Sequence, residues 1–263
     1  MEYDLACFGS NTIDDYVTLG KRYAGGCPLN SAVHASALGV KTCYIGAVGD
    51  DEGGRIIRMA LARHHLSDAF VHTLPGSTAR CEIFLEGDER VFGDYSEGVL
   101  KDFVLGSQEM EILAGARICL CDCWGEQNHR LKELSDKGAV IAYDAADHID
   151  EEEIRKILPY CTYVFFSGEQ DTSALRGRMK EIQKLGPRTV IATFGAEGSL
   201  CLEKDFVYCQ AEKAERVVDT LGAGDTYIAG FLAGILQGGS THDAMKLGSM
   251  AALKTLTHHG GFE

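Results

Sequence analysis

The residues best placed to do chemistry lie in one short run, Asp219 to Asp225, which reads DTLGAGD. The residues after it, Thr226 to Gln237, are apolar on nearly every side, as expected of a helix buried in a core. Gly222, Ala223 and Gly224 therefore sit where a loop enters a buried helix N-terminus. There, unpaired backbone N–H groups and the positive end of the helix dipole favour an anion. Small residues let a phosphate approach the backbone, and glycine tolerates the dihedrals such a cradle requires. Asp225 follows at once. A capping carboxylate explains it in part, but beside a phosphate its chemical use is to take the proton of an attacking hydroxyl.

The elements that must hold this run are legible around it. From about Arg117 strands and helices alternate. Strands are expected over 117–121, 139–143, 162–166 and 189–193, with helices near 126–137, 151–158 and 172–185. Such alternation implies βαβ crossovers and a mostly parallel sheet covered on both faces. Earlier strands fall at 3–8, 41–48 and 69–73, and helices run to Leu38 and to about His64. Two more strands, 199–202 and 206–209, precede the Gly-rich run, and a last helix covers 241 to about 257. Ligands of open α/β sheets bind beyond the C-terminal strand ends. That rule makes Asp14 a candidate for sugar hydroxyls and lets Asp144 face the same region. Gly25 and Gly26, with Pro28 in the first turn that follows, mark a helix start. Between Thr78 and Tyr95 the pattern becomes a hairpin of moderate hydrophobicity, with one face open.

Taken whole, DTLGAGDTYIAGFLAG resembles the C-terminal signature of the ribokinase-like, phosphofructokinase-B type carbohydrate kinases. The resemblance spans nearly the full chain. It implies a three-layer α/β fold with a mostly parallel central sheet flanked by helices, and a small β lid. Residues 1–263 would form one such domain, with lid strands from about 15–19 and 78–95. It also implies that Asp225 is the catalytic base and that Gly222, Ala223 and Gly224 form the anion hole. Gly25, Gly26 and Asn30 match the family's sugar-contacting GGxxxN pattern. Thr193, Gly195 and Gly198 match its TxGxxG turn, which together with Gly222 and Gly224 would bind nucleotide. Asp219 would help hold a monovalent cation such as K+. The family's NxxE element, which organises Mg2+ through water, is altered here to Ser167-Gly168-Glu169-Gln170, leaving Glu169 as the neighbouring carboxylate. On the last helix Met250, Ala251 and Lys254 would flank the adenine.

The segment Arg90 to Val99 is similar to its counterpart in bacterial fructoselysine 6-kinases. That likeness implies ATP-dependent phosphorylation of a primary hydroxyl on an aminated ketose, with Arg90 and Glu97 at the substrate and Glu82, Asp94 or Glu97 facing cationic nitrogen. A kinase for another ketose or a nucleoside, and a non-catalytic sugar- or nucleotide-sensing protein, are the alternative readings. No GxxxxGK[ST] or GxGxxG motif points to a P-loop or dinucleotide enzyme.

Composition bounds the partners. Asp and Glu outnumber Lys and Arg by 39 to 25, a formal charge of −14, which argues against nucleic acid and anionic membranes. The start lacks the basic and apolar segments of a signal peptide, and no apolar run approaches the ~20 residues of a membrane helix. Ten scattered cysteines without a CxxC pair suit a reducing cytoplasm. Cys119, Cys121 and Cys123 share one strand face and are expected as small core residues, and the pairs His64-His65 and His258-His259 are expected at helix ends. An exposed lid face implies a homodimer, as in the resembling enzymes.

Overall fold

The computed structural model describes residues 2–86 and 89–262, and the side chains of Glu86, Glu89 and Arg90 also lie outside the described set. Its main sheet starts from Leu5–Phe8 (β1), a fully buried run. Here Ala6 and Phe8 pack into one core, and Leu5 and Cys7 into the other. That alternation between two apolar faces is what a strand covered on both sides requires. The second strand, Thr12–Tyr16 (β2), leaves this sheet and pairs with Lys21–Gly25 (β3). Helix α1 (Cys27–Ala37) then leads to Thr42–Gly49 (β4), α2 (Glu52–Arg63) and Val71–Leu74 (β5). The lid is completed by Arg80–Glu86 (β6) and Glu89–Ser96 (β7).

The rest of the chain alternates as expected. Helix α3 (Ser107–Gly115) precedes Ile118–Asp122 (β8), and α4 (Leu131–Asp136) precedes Ile141–Asp144 (β9). Next come α5 (Glu152–Ile157), Tyr163–Ser167 (β10), α6 (Ser173–Lys184) and Thr189–Thr193 (β11). Ser199–Leu202 (β12), Phe206–Cys209 (β13), α7 (Ala223–Leu236) and α8 (Thr241–Thr255) close it. The nine-stranded sheet runs β13-β12-β11-β10-β9-β8-β1-β4-β5, parallel except where β12 joins β11 and β13. Residues of α1, α2, α7 and α8 fill the core on one face, and those of α3, α4, α5 and α6 fill the other. The lid is a separate four-stranded sheet, β3-β2-β6-β7.

Three boundaries differ from expectation for physical reasons. The lid strand expected over 15–19 lies at Thr12–Tyr16, and Val17–Leu19 form a 3-10 turn closed by Gly20 at φ 62°. Asp14 and Asp15 are poor strand formers on propensity, but pairing on both sides overrides it, and the ladder partner Lys21–Gly25 was not evident as a strand. The helix expected over 126–137 is a 3-10 turn at Asn128–Arg130 followed by α4. The buried helix near the Gly-rich run begins at Ala223, three residues earlier than its apolar pattern suggests.

Helices α7 and α8 touch through small residues. A Cβ on Gly230 would lie 2.7 Å from the Cα of Gly248, and one on Gly234 would lie 2.7 Å from the Cα of Ala244. Such close approach is open to glycine alone. Ser240 starts α8 with a reciprocal cap, its hydroxyl accepting from the Asp243 amide while the Asp243 carboxylate accepts from the Ser240 amide. Cys119 and Cys121 do lie on one face of β8, buried in the core. His64 caps the end of α2, and His258 and His259 follow α8.

Candidate active site

Asp225 lies in the first turn of α7, so Ala223, Gly224 and Asp225 belong to the helix rather than to the loop before it. Gly222 precedes it at φ 77°, where a Cβ would come within 2.6 Å of Gly261 Cα. Both facts exclude other residues there. The Ala223 amide donates to Thr220 O at 3.2 Å, closing the turn, and Gly222 O accepts from the Thr226 amide at 2.9 Å. No neighbouring atom lies within 4 Å of where a Gly224 Cβ would stand.

A second helix start faces this one. Gly26, at φ 105°, turns the chain from β3 into α1, and a Cβ on it would lie 2.6 Å from Asn11 Cα. This entry brings Asn30, 2% exposed, to Asp225, its Nδ2 donating to Oδ2 at 2.6 Å. Ser31 Oγ donates to the Asp225 carbonyl at 3.1 Å. Asp14 sits on β2 with Thr12 Oγ1 donating to its Oδ1 at 2.8 Å, and it is 5% exposed. Gly25 makes room for it, since a Cβ there would stand 1.9 Å from Asp14 Oδ2. The sequence candidates Asp14, Gly25, Gly26, Asn30 and Asp225 are thus brought together. Glu97 is exposed just after β7, and Arg90 falls among the side chains that are not described.

Cys27 and Asp122, which sequence reasoning missed, join the expected Asp144 in the centre. Cys27 Sγ donates to Asp144 Oδ2 at 3.2 Å, and single ligand atoms of Cys27, Asp144 and Asp225 all lie within 4.8 Å of one another. Asp122 ends β8 beside Asp144 on β9 and accepts from the Ser10 hydroxyl. Burial, with Asp144 and Asp225 adding repulsion against the Ser10 bond, pushes the Asp122 carboxyl up to about 7. Burial and then Asp225 push Asp144 up to about 6. Burial, Asp225 and Asp144 hold the Cys27 thiol well above its ordinary range, so it stays a donor. Asp122 carries the same signal as Asp14, a carboxylate at the C-terminal end of a sheet strand.

A cavity of about 700 Å³ opens on the other side of the α7 N-terminus. Thr193, Gly195, Gly198, Ala223 and Gly224 line it, while Gly222 and Asp225 do not. Its wall on α8 is Ser249, Ala252, Leu253 and Leu256 rather than the expected Met250, Ala251 and Lys254. Met250 faces solvent at 49% exposure, and Ala251 is buried outside the cavity lining. Ser167 and Gly168 reach the cavity, but Glu169 is exposed outside its lining, and the neighbouring Asp171 is held by Arg176 at 2.7 Å.

Asp219 is buried behind the centre. Its carboxylate accepts from the Tyr16 hydroxyl, from Leu221 N at 2.9 Å and from Gly260 N at 3.4 Å, with His259 Nδ1 at 3.6 Å. One side chain thus ties the lid, the loop before α7 and the segment after α8.

The arrangement sets the Asp225 carboxylate against the Asn30 amide, in the same helix turn whose Ala223 and Gly224 line the cavity. Over residues 1–263 the chain matches the profile described as pfkB family carbohydrate kinase. The chain belongs to this family. It is 37% identical over 258 residues to a fructoselysine 6-kinase of Shigella flexneri, covering 98% of this chain and 99% of that protein. It is 36% identical, with the same coverage, to a fructoselysine 6-kinase of Escherichia coli (strain K12). Among solved structures, the ribokinase of Arabidopsis thaliana complexed with ribose and ATP superimposes with a TM-score of 0.87 at 21% identity, covering 99% of this chain and 94% of that one. The fold of this pfkB kinase is therefore ribokinase-like, and the protein is an ATP-dependent sugar kinase. No helix among the described residues is long and apolar enough to cross a membrane.

Proposed function

We propose that this kinase moves the γ-phosphoryl group of ATP to the 6-hydroxyl of fructoselysine, a ketose carrying an amino-acid substituent. The near full-length likeness to two fructoselysine 6-kinases carries the choice of acceptor. Asp14 and Asn30, with Gly25 and Gly26 leaving the space they need, bind the sugar hydroxyls. Asp225 takes the proton of the attacking hydroxyl as its oxygen bonds to the γ-phosphorus, and the bond from phosphorus to the β–γ bridging oxygen breaks to release ADP. The Asn30 amide holds the Asp225 carboxylate at Oδ2 and so fixes its orientation. The amides of Gly222 and Gly224 carry the developing phosphate charge, since that of Ala223 is already bonded to Thr220. ATP occupies the 700 Å³ cavity, its base against α8 and its phosphates toward Thr193, Gly195 and Gly198.

The carboxylate oxygens of Asp144 and Asp225 suit a hard cation, whereas the protonated Cys27 thiol does not. Mg2+ bound with ATP would supply charge neutralisation on the phosphates, with Asp144 better placed to meet it than the exposed Glu169. Asp219 fits a monovalent cation poorly, because its oxygens already receive three donors from the protein.

We also propose one ribokinase-like domain over 1–263 that works in the cytoplasm, where its ten free cysteines would remain reduced. Two copies pair through the lid, which exposes Val17, Leu19, Val91 and Phe92. The deciding experiment is an acceptor panel of fructoselysine, fructose and nucleosides, read by ADP release and by the position of phosphate in the product. Preferred 6-phosphorylation of fructoselysine is expected. Equal use of unmodified fructose would overturn the acceptor assignment and leave the sugar-kinase chemistry intact.

A further inference from the structure

Trp124 is the chain's single tryptophan, and it is 49% exposed. It stands two residues beyond Asp122, at the C-terminal end of β8, where ligands of such sheets are met. Its ring meets His148 edge-on at 4.7 Å and lies 6.5 Å from the ring of Tyr95, itself 43% exposed on lid strand β7. His148 is held by Glu151 at 2.6 Å and Asp147 at 3.2 Å.

Register decides which way Tyr95 looks. Asp14 pairs with Cys81, and Cys81 pairs with Tyr95. Directly paired residues share a sheet face, so Asp14 and Tyr95 face the same side, two strand steps or roughly 10 Å apart. The register with β2 pairs Glu82 with Asp15 and so puts it on the opposite face, where it meets Arg80 at 3.0 Å. That turns Glu82 away from a bound amine. Glu97 and Glu126, by contrast, act on Tyr95. After burial and Asp122, they help push its phenol up to about 12. Two aromatic faces in a negative field thus line the rim beyond the hydroxyl-binding recess. The spacing is too long for a bare ketose held at Asp14 and within reach of an alkyl arm attached to it.

We infer that Trp124 and Tyr95, backed by Glu97 and Glu126, form a subsite for the distal ammonium group of an aminated acceptor. The inference rests on the proposed acceptor and deepens it: the amino-acid end is recognised by ring faces and carboxylates, apart from the sugar end. A cation over an aromatic face is attracted by the ring's negative face, more strongly as it loses water.

The test compares fructoselysine with its Nα-acetylated form, whose distal nitrogen is neutral. In the wild type, kcat/KM for the free amine should exceed that for the acetylated compound about tenfold, as a cation–π contact implies. Trp124→Ala should erase the preference through KM, with kcat within about twofold, and Trp124→Phe should keep most of it. Trp124 emission should change on saturation with fructoselysine in the absence of ATP and stay constant with the acetylated form. Equal use of both compounds by the wild type, or a preference that survives in both Trp124→Ala and Tyr95→Ala, would overturn the subsite alone. Phosphorylation of neither compound would remove the proposed acceptor and the subsite with it.

Discussion

Asn30 Nδ2 donates to Asp225 Oδ2 at 2.6 Å, so an amide near the start of α1 fixes the carboxylate in the first turn of α7. A free carboxylate could turn away from the acceptor, and this one is held by a neutral group that does not quench its charge. Asn30→Leu removes the donor at similar volume. A hydrogen bond to a charged group contributes about 1.5–3 kcal/mol, so kcat/KM for the sugar should fall by roughly 10- to 100-fold with ATP affinity unchanged. Steady-state kinetics with both substrates varied checks this.

Asp225→Asn keeps the shape of the site and removes the proton acceptor. Turnover should drop by about 10²–10⁴-fold while ATP still binds with wild-type affinity. Calorimetric titration of ATP alongside the rate assay separates the two effects, and near-normal turnover would take Asp225 out of the mechanism.

Gly25→Ala puts a methyl where Asp14 Oδ2 now stands, 1.9 Å from the new Cβ. The Asp14 carboxylate must move, so KM for the sugar should rise at least about tenfold with KM for ATP little changed. Ala24→Ser, one residue away, serves as the control for general damage to β3.

Gly222→Ala and Gly224→Ala should separate folding from binding. The first meets both a left-handed backbone and Gly261 Cα at 2.6 Å, and should destabilise the protein by about 1–3 kcal/mol in urea titration. The second meets nothing within 4 Å, so stability should hold while its methyl intrudes on the cavity and weakens ATP binding.

His34 gives a pH signature. Its Nε2 lies 2.8 Å from Gly261 O, and burial, aided by His258, His64 and Lys254, holds it down at about 4. The unfolded chain titrates near 6.5, so between those values the unfolded state takes up a proton that the folded state refuses. The His34 contribution to stability is therefore full above pH 6.5 and is lost as pH falls toward 4, by on the order of 3 kcal/mol, while the raised carboxyls of Asp122 and Asp144 contribute in the opposite direction. The difference in denaturant midpoint between wild type and His34→Gln across this window isolates the His34 slope.

What could be read in advance was local. The Gly-rich run, the double glycine before Asn30 and the alternation of strands and helices each depend on neighbours in sequence, and the helix starts they mark bring Asn30 against Asp225. The rest depends on distant packing. Cys27 meets Asp144 across 117 residues, and nothing in either segment announces the other. The α8 wall was displaced because an apolar pattern locates a helix but not its rotation against a neighbour, and the glycines at 230, 234 and 248 fix that rotation. The lid strand at Thr12–Tyr16 was hidden by two aspartates whose strand conformation comes from their partners on β3 and β6.

Those same glycines have a consequence for nucleotide choice. With α7 and α8 locked at backbone contact, neither helix can slide without opening a void at Gly230 or Gly234. In the proposed binding mode one helix would present amides to the phosphates and the other Ser249, Ala252 and Leu253, which line the cavity, to the base. The pair would then act as a rigid ruler that measures a nucleotide from its base to its terminal phosphate, with its last mark beside Asp225.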